Sequence, residues 1–129
     1  MANQIFLSIG AKEYGPPATL EKANKAVTQF LKKNLSMDQV NLTEGSGLSR
    51  STKVSCSQML KILLKFIPYH HLLEHRENEF FKTGILHDVR TRAGYFIGSN
   101  GHLYPFVIMA NKKNERYRSI LQKIKLRGT

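Results

Sequence analysis

An α+β fold is predicted by a change of period along the chain. Apolar residues recur at three-to-four spacing through the first half, three runs rich in β-branched and aromatic residues follow, and an amphipathic stretch closes the sequence. The order predicts helices, then a three-strand antiparallel meander, then a covering helix, in one domain over residues 1–129. Ala2, Ile5, Phe6 and Ile9 share a face of an opening helix that Gly15-Pro16-Pro17 breaks. Thr19 then stands as an N-cap, with Leu20, Ala23, Val27, Phe30 and Leu31 at helical spacing up to Asn34. Val40 to Thr43 reads as a short strand or extended link before a Gly/Ser-rich loop from Glu44 to Thr52. Ser55 can cap a helix through Met59, Leu60, Leu63, Leu64 and Ile67, which Pro68 stops. That helix is apolar nearly all round, which predicts an interior position. Tyr69 to Glu79 is polar and His-rich, a surface helix turn or loop.

In the second half, Phe80 to Leu86, Arg92 to Ile97 and Leu103 to Met109 read as strands. Asn100-Gly101 within Gly98–Gly101 suits a tight hairpin between the last two. Tyr117, Ile120, Leu121 and Ile124 share one face of a terminal helix whose other face is basic.

Several classes are excluded. A composition 41% hydrophobic and 22% charged is that of a packed protein, not a disordered or fibrous one. Cys56 is the single cysteine, so neither a disulfide framework nor a multi-cysteine metal site is possible. No apolar run approaches the roughly 20 residues of a membrane span, and the first residues lack the pattern of a cleavable signal peptide. Charge asks for a partner. Lys plus Arg number 20 against 9 acids, and residues 112 to 129 hold 7 bases with Glu115 the one acid. Such an excess suits a polyanion or serves solubility.

Lys82-Thr83-Gly84 lies within an apolar strand. There a lysine supplies a fixed positive charge, a threonine hydroxyl donates to a carboxylate, and glycine lets a substrate backbone lie against the strand edge. Glu44-Gly45-Ser46-Gly47-Leu48-Ser49-Arg50, an apolar helix, Lys82-Thr83-Gly84-Ile85-Leu86 and Ala93-Gly94-Tyr95-Phe96-Ile97 follow one another in that order. This series resembles the C-terminal part of the D-alanyl-D-alanine carboxypeptidases of the class C low-molecular-mass penicillin-binding proteins, over nearly the whole chain. The resemblance implies the penicillin-recognising serine transpeptidase/β-lactamase-like fold. It implies substrate contacts at Lys82, Thr83, Gly84 and Ile85, with Ile85 offering its backbone N–H to an oxyanion.

The departures are specific. The family's S-x-x-K nucleophile and S-x-N occur nowhere in this sequence, Glu44 replaces an aspartate, and Ile85 stands where many relatives carry a hydroxyl. Ala2 to Phe6 looks like the helix after S-x-N, which places the nucleophile upstream of this chain. The resemblance thus implies a fragment with one wall of a site that binds a peptidoglycan stem peptide, with no cofactor and no metal. It implies a periplasmic or envelope setting, or the cytoplasm if the chain is expressed alone. An upstream N-terminal half, or self-association, is the expected partner.

Other candidates read as structure. His71 and His75, four apart beside His70 and Glu74, offer metal ligands only on a continuous helix, and H-E-x-x-H is absent. Cys56 reads as a packed small residue, and Ser46 and Ser49 as turn residues. The alternative function is a small basic module for nucleic acid or an anionic surface. Its signature is an outward stripe of Lys112, Lys113, Arg116, Arg118, Lys123, Lys125 and Arg127; a Lys82 at a strand edge favours the carboxypeptidase reading.

Overall fold

The structure, a computed structural model, describes residues 1–111 and 116–128. It forms two compact units, Met1–Ser55 and Cys56–Thr129.

In the first unit, α1 (Ala2–Tyr14) and α2 (Leu20–Leu35) pack together. Gly15 ends α1 at φ 77°, a conformation that glycine adopts without strain. The Thr19 hydroxyl oxygen accepts from the Lys22 N–H at 3.2 Å, as an N-cap does. The Lys22 ammonium donates to the carbonyls of Gly15 at 2.8 Å and Pro17 at 3.1 Å, which fastens the connecting loop. Contact between the helices is made by small residues. A Cβ on Gly10 would lie 2.4 Å from the Ala23 nitrogen, so the two backbones touch there. This contact line corrects the predicted face of α1. Phe6 is buried, but Ile5 is 56% and Ile9 42% exposed, because the helix turns its small side toward α2. The strand expected at Val40 to Thr43 reduces to one bridge, Asn41 with Lys53.

The second unit opens with α3 (Cys56–Phe66), which begins directly after Ser55. Pro68 prevents an α-helical continuation, and the chain tightens into a 3₁₀ turn, Ile67–Leu72. Four strands follow: β1 (Glu74–Arg76), β2 (Glu79–Ile85), β3 (Arg90–Ile97) and β4 (Leu103–Ala110), then α4 (Arg116–Gly128). The sheet is antiparallel in the order β1-β2-β3-β4. The three-strand expectation is therefore corrected to four. Strand β1 has three residues and no apolar one, too short for alternation to register. His75 stacks on Phe80 across its pairing with β2, with ring centroids 4.3 Å apart.

Alternation sends Phe81, Phe96, Phe106 and Ile108 to one sheet face, where Tyr117, Leu121 and Ile124 of α4 cover them. Phe96 and Phe106 stack at 4.1 Å. On the other face the Tyr95 hydroxyl donates to the Leu63 carbonyl of α3 at 2.6 Å, and burial raises its pKa. The interior position expected of α3 is corrected. Leu63 is buried, while Leu60 is 36% and Leu64 54% exposed, because among the described residues the sheet covers one side of the helix only. The last hairpin is also one residue longer than a two-residue Asn-Gly turn. Gly98 N–H bonds His102 O at 2.9 Å and Gly101 takes φ 74°, leaving Ser99, Asn100 and Gly101 as the loop.

Glu79, read in sequence as part of a polar surface segment, is 1% exposed. Its oxygens accept from Arg92 Nε at 2.6 Å, Arg92 Nη2 at 2.9 Å and Lys125 Nζ at 3.1 Å, and the Arg92 guanidinium lies 3.6 Å from the Phe81 ring centroid. Glu79→Ala leaves the largely buried Arg92 and the partly exposed Lys125 without their acid, and unfolding in urea is expected to show a loss of up to about 3–5 kcal/mol. Glu79→Leu combined with Arg92→Met should recover most of it. A midpoint unmoved by Glu79→Ala would show that the cluster does not hold the sheet to α4.

Candidate functional site

The bonding phase of the sheet determines what Lys82 to Ile85 can do. Ile97 N–H bonds Asn78 O at 2.8 Å, and Leu86 N–H bonds Val89 O at 2.9 Å across the β2–β3 turn. Antiparallel alternation then makes Phe80, Lys82 and Gly84 exchange bonds with β3, through Tyr95, Ala93 and Thr91. Glu79, Phe81, Thr83 and Ile85 point their peptide groups the other way. Strand β1 meets the first two of these, by Arg76 with Glu79 and Glu74 with Phe81, and there it ends. Among the described residues, the peptide groups of Thr83 and Ile85 thus lie along an open edge of β2.

All four predicted site residues sit on this half of the strand. Lys82 is exposed, and its ammonium lies 3.4 Å from the Thr83 carbonyl. The side chain of Lys82 lies on the α3 face of the sheet, as would one at Gly84, and those of Thr83 and Ile85 lie on the α4 face. Ile85 is 68% exposed. The arrangement offers one backbone donor and one acceptor at each of two positions 2 residues apart, flanked by a cation and a hydroxyl.

Thr91 was not anticipated in sequence. It lies opposite Gly84 and its hydroxyl reaches the Gly84 carbonyl at 3.4 Å. A Cβ on Gly84 would come 2.6 Å from that hydroxyl oxygen, so a side chain there would have to turn the Thr91 hydroxyl aside. Placing the turn at His87-Asp88 and counting back on both sides gives this pairing.

Glu44 organises the loop after α2. Its carboxylate accepts from Ser46 N–H at 2.6 Å, from Ser49 N–H at 3.1 Å and from the Ser46 hydroxyl, while Asn3 Oδ1 accepts from Gly45 N–H at 2.7 Å. The bond from the Ser46 hydroxyl, then that from the Ser49 amide, holds the Glu44 pKa down to about 2. Ser46 thus donates within the loop.

The histidines do not share a helical face. His71 is in the 3₁₀ turn and His75 in β1, while His70 packs edge-on against Phe80 at 4.7 Å. Among the described residues no group of three or more His, Cys, Asp or Glu side chains is placed to hold a metal. Cys56 is exposed rather than packed, a correction that follows from its place in the first turn of α3. Of the predicted basic stripe, Lys112 and Lys113 lie outside the described residues. Lys125 turns toward Glu79, and Arg116, Arg118, Lys123 and Arg127 are exposed. No helix among the described residues is long and apolar enough to cross a membrane.

Residues 1–75 match the D-Ala-D-Ala carboxypeptidase 3 (S13) family. No curated protein matches the chain. Penicillin-binding protein 4 of Haemophilus influenzae, solved in complex with a β-lactam, is similar in structure, with TM-score 0.80 and 22% identity over 96% of this chain and 37% of that one. A predatory endopeptidase of Bdellovibrio bacteriovorus, solved with an immunity protein, gives TM-score 0.60 and 15% identity over 97% of this chain and 41% of that one. The likeness is one of fold, and the chain spans little more than a third of the penicillin-binding protein.

The Glu44 loop carries a pH signature. A carboxyl held at about 2 in the fold against 4.5 unfolded gives the loop order that is complete above about pH 4.5 and fades as pH falls through about 2. Amide shifts of Ser46 and Ser49 should inflect near pH 2, and Glu44→Gln should abolish the inflection. An inflection at 4.5 would mean that these bonds do not form in solution.

Proposed function

The chain belongs to the D-Ala-D-Ala carboxypeptidase 3 (S13) family, and on that footing we propose that it is the substrate-edge part of a serine-type D-Ala-D-Ala carboxypeptidase of the cell envelope. The observation that carries the reading is the coincidence of Lys82-Thr83-Gly84 with the half of β2 that is paired on one side only. A peptidoglycan stem peptide ending in D-Ala-D-Ala would add to that edge as an extended strand, its backbone meeting the N–H and C=O of Thr83 and Ile85. Lys82 supplies the positive charge for the terminal carboxylate, and the Thr83 hydroxyl a donor beside it. Gly84 keeps the edge clear of a side chain. The Ile85 N–H serves the oxyanion when the scissile carbonyl becomes tetrahedral, a role independent of its side chain.

The chemistry itself needs a serine to attack the carbonyl and a water to hydrolyse the acyl-serine. This sequence has neither S-x-x-K nor S-x-N. The chain by itself therefore binds without turnover, and a nucleophile-bearing segment is the partner that completes the site.

Incubation with a fluorescent penicillin is expected to leave no band after denaturing electrophoresis, and a covalent band would remove the binding-only reading. A D-Ala-D-Ala-terminated peptide should shift the amide resonances of Thr83 and Ile85, and its C-terminal amide should bind more weakly. Lys82→Ala should weaken the free-acid peptide by about 1.5–3 kcal/mol, the range of a hydrogen bond to a charged group. The fold should survive, since Lys82 is exposed. Equal binding of acid and amide would take Lys82 out of carboxylate recognition.

A further inference from the structure

The α4 face beside the candidate site carries a cation that no acid answers. Arg90, the first residue of β3, stands opposite Ile85, and its side chain lies on the α4 face with those of Ile85 and Thr83. It is exposed and has no ion-pair partner among the described residues. Glu79, buried on this same face, is already met by Arg92 and Lys125. Burial raises the pKa of the Tyr117 hydroxyl while the charges of Arg92 and Arg90 oppose the rise, so Arg90 also lies near the first turn of α4.

The neighbouring arginine shows which way a long side chain runs here. Arg92 stands opposite Thr83, yet its guanidinium lies 3.6 Å from the ring centroid of Phe81, the next residue back on that face of β2, and reaches on to Glu79. That is the diagonal which a twisted antiparallel pair offers. For Arg90 the same diagonal neighbour is Thr83, at the roughly 7–8 Å that a long side chain can span. Lys82 lies on the opposite face, with its ammonium 3.4 Å from the Thr83 carbonyl. Two cations on different strands thus flank one point of the edge from its two faces, and the Thr83 hydroxyl lies on the Arg90 side.

We propose that Arg90 is a second anchor for the terminal carboxylate of the bound peptide, reaching over Thr83 from the α4 face while Lys82 holds the same group from the α3 face. The inference rests on the carboxypeptidase reading and adds to it a residue outside the Lys82–Ile85 segment. Ile85 brings no hydroxyl to the α4 side of the edge, so charge from β3 takes the place of a donor on β2. A guanidinium suits the task, since its planar fork of N–H groups can meet both oxygens of a carboxylate that also accepts from Thr83. The result is selectivity: a peptide whose C-terminus is amidated meets two cations and brings no anion to either.

The whole chain is titrated with an Nα-acetylated peptide ending in D-Ala-D-Ala, as free acid and as C-terminal amide, by following the amide resonances of Thr83 and Ile85. The ratio of the two affinities reads the contacts to the carboxylate. Arg90→Gln should lower the affinity for the acid about threefold to tenfold and leave that for the amide within about twofold. Arg90→Lys, which keeps the charge and loses the fork, should recover part of the loss. Lys82→Ala should lower the ratio independently, and the double variant should bring it to about one. The rest of the spectrum of Arg90→Gln should match that of the parent, since Arg90 is exposed. An unchanged ratio in Arg90→Gln, with the ratio lowered in Lys82→Ala, overturns the proposal and leaves the carboxypeptidase reading standing. Equal losses of acid and amide in Arg90→Gln overturn it too, by making Arg90 a structural residue. Equal affinity of acid and amide for the parent chain overturns both the proposal and that reading.

Discussion

Glu79 is buried among three donor atoms that converge on it from two other elements. A lone carboxylate at that depth would cost several kcal/mol, and the fork of Arg92 together with Lys125 offsets the loss of water. The residues concerned stand on β2, β3 and α4, so one carboxylate fixes the start of β2, the phase of β3 and the lie of the last helix. Arg92 also caps the Phe81 ring, joining the ionic cluster to the aromatic core. The consequence reaches the candidate site. With the start of β2 fixed against the three residues of β1, the strand is paired on both sides up to Phe81 and on one side after it. Lys82 to Ile85 lie on an open edge because of where β1 stops.

This dependence explains what could be read from the sequence. The helices α2 and α4 and the strands β2, β3 and β4 were legible because each carries a sustained period or a β-rich run between turn residues. Lys82-Thr83-Gly84 was legible as a triplet, but its open edge was not, since that rests on a strand of three polar residues. Buried Glu79 was not legible: Arg92 stands in a strand that also carries Arg90 and Thr91, and nothing in the sequence says which of these meets an acid. The exposure of Leu60 and Leu64 could not be read at all. A helix that is apolar all round records what it is able to pack against, and composition is silent on whether both sides are covered in this chain.

The basic excess also divides into two kinds of residue. Lys22, Arg92 and Lys125 act inside the structure, the first closing the α1–α2 loop and the others neutralising Glu79. Lys82, Lys123 and Arg127 stand at surfaces. Net charge alone would assign them all to one polyanionic partner; the geometry separates structural donors from those available to a ligand.

Gly84 and Thr91 constrain how this hairpin can drift. An alanine at 84 would press on a hydroxyl oxygen 2.6 Å away and force it out of its rotamer, whereas an alanine at 91 gives up a contact of 3.4 Å to the Gly84 carbonyl. The two changes are unequal as first steps. A lineage that alters 91 first passes through an intact intermediate, and one that alters 84 first passes through a strained one. The cost of a side chain at 84 therefore depends on what stands at 91, and a residue without the hydroxyl removes it.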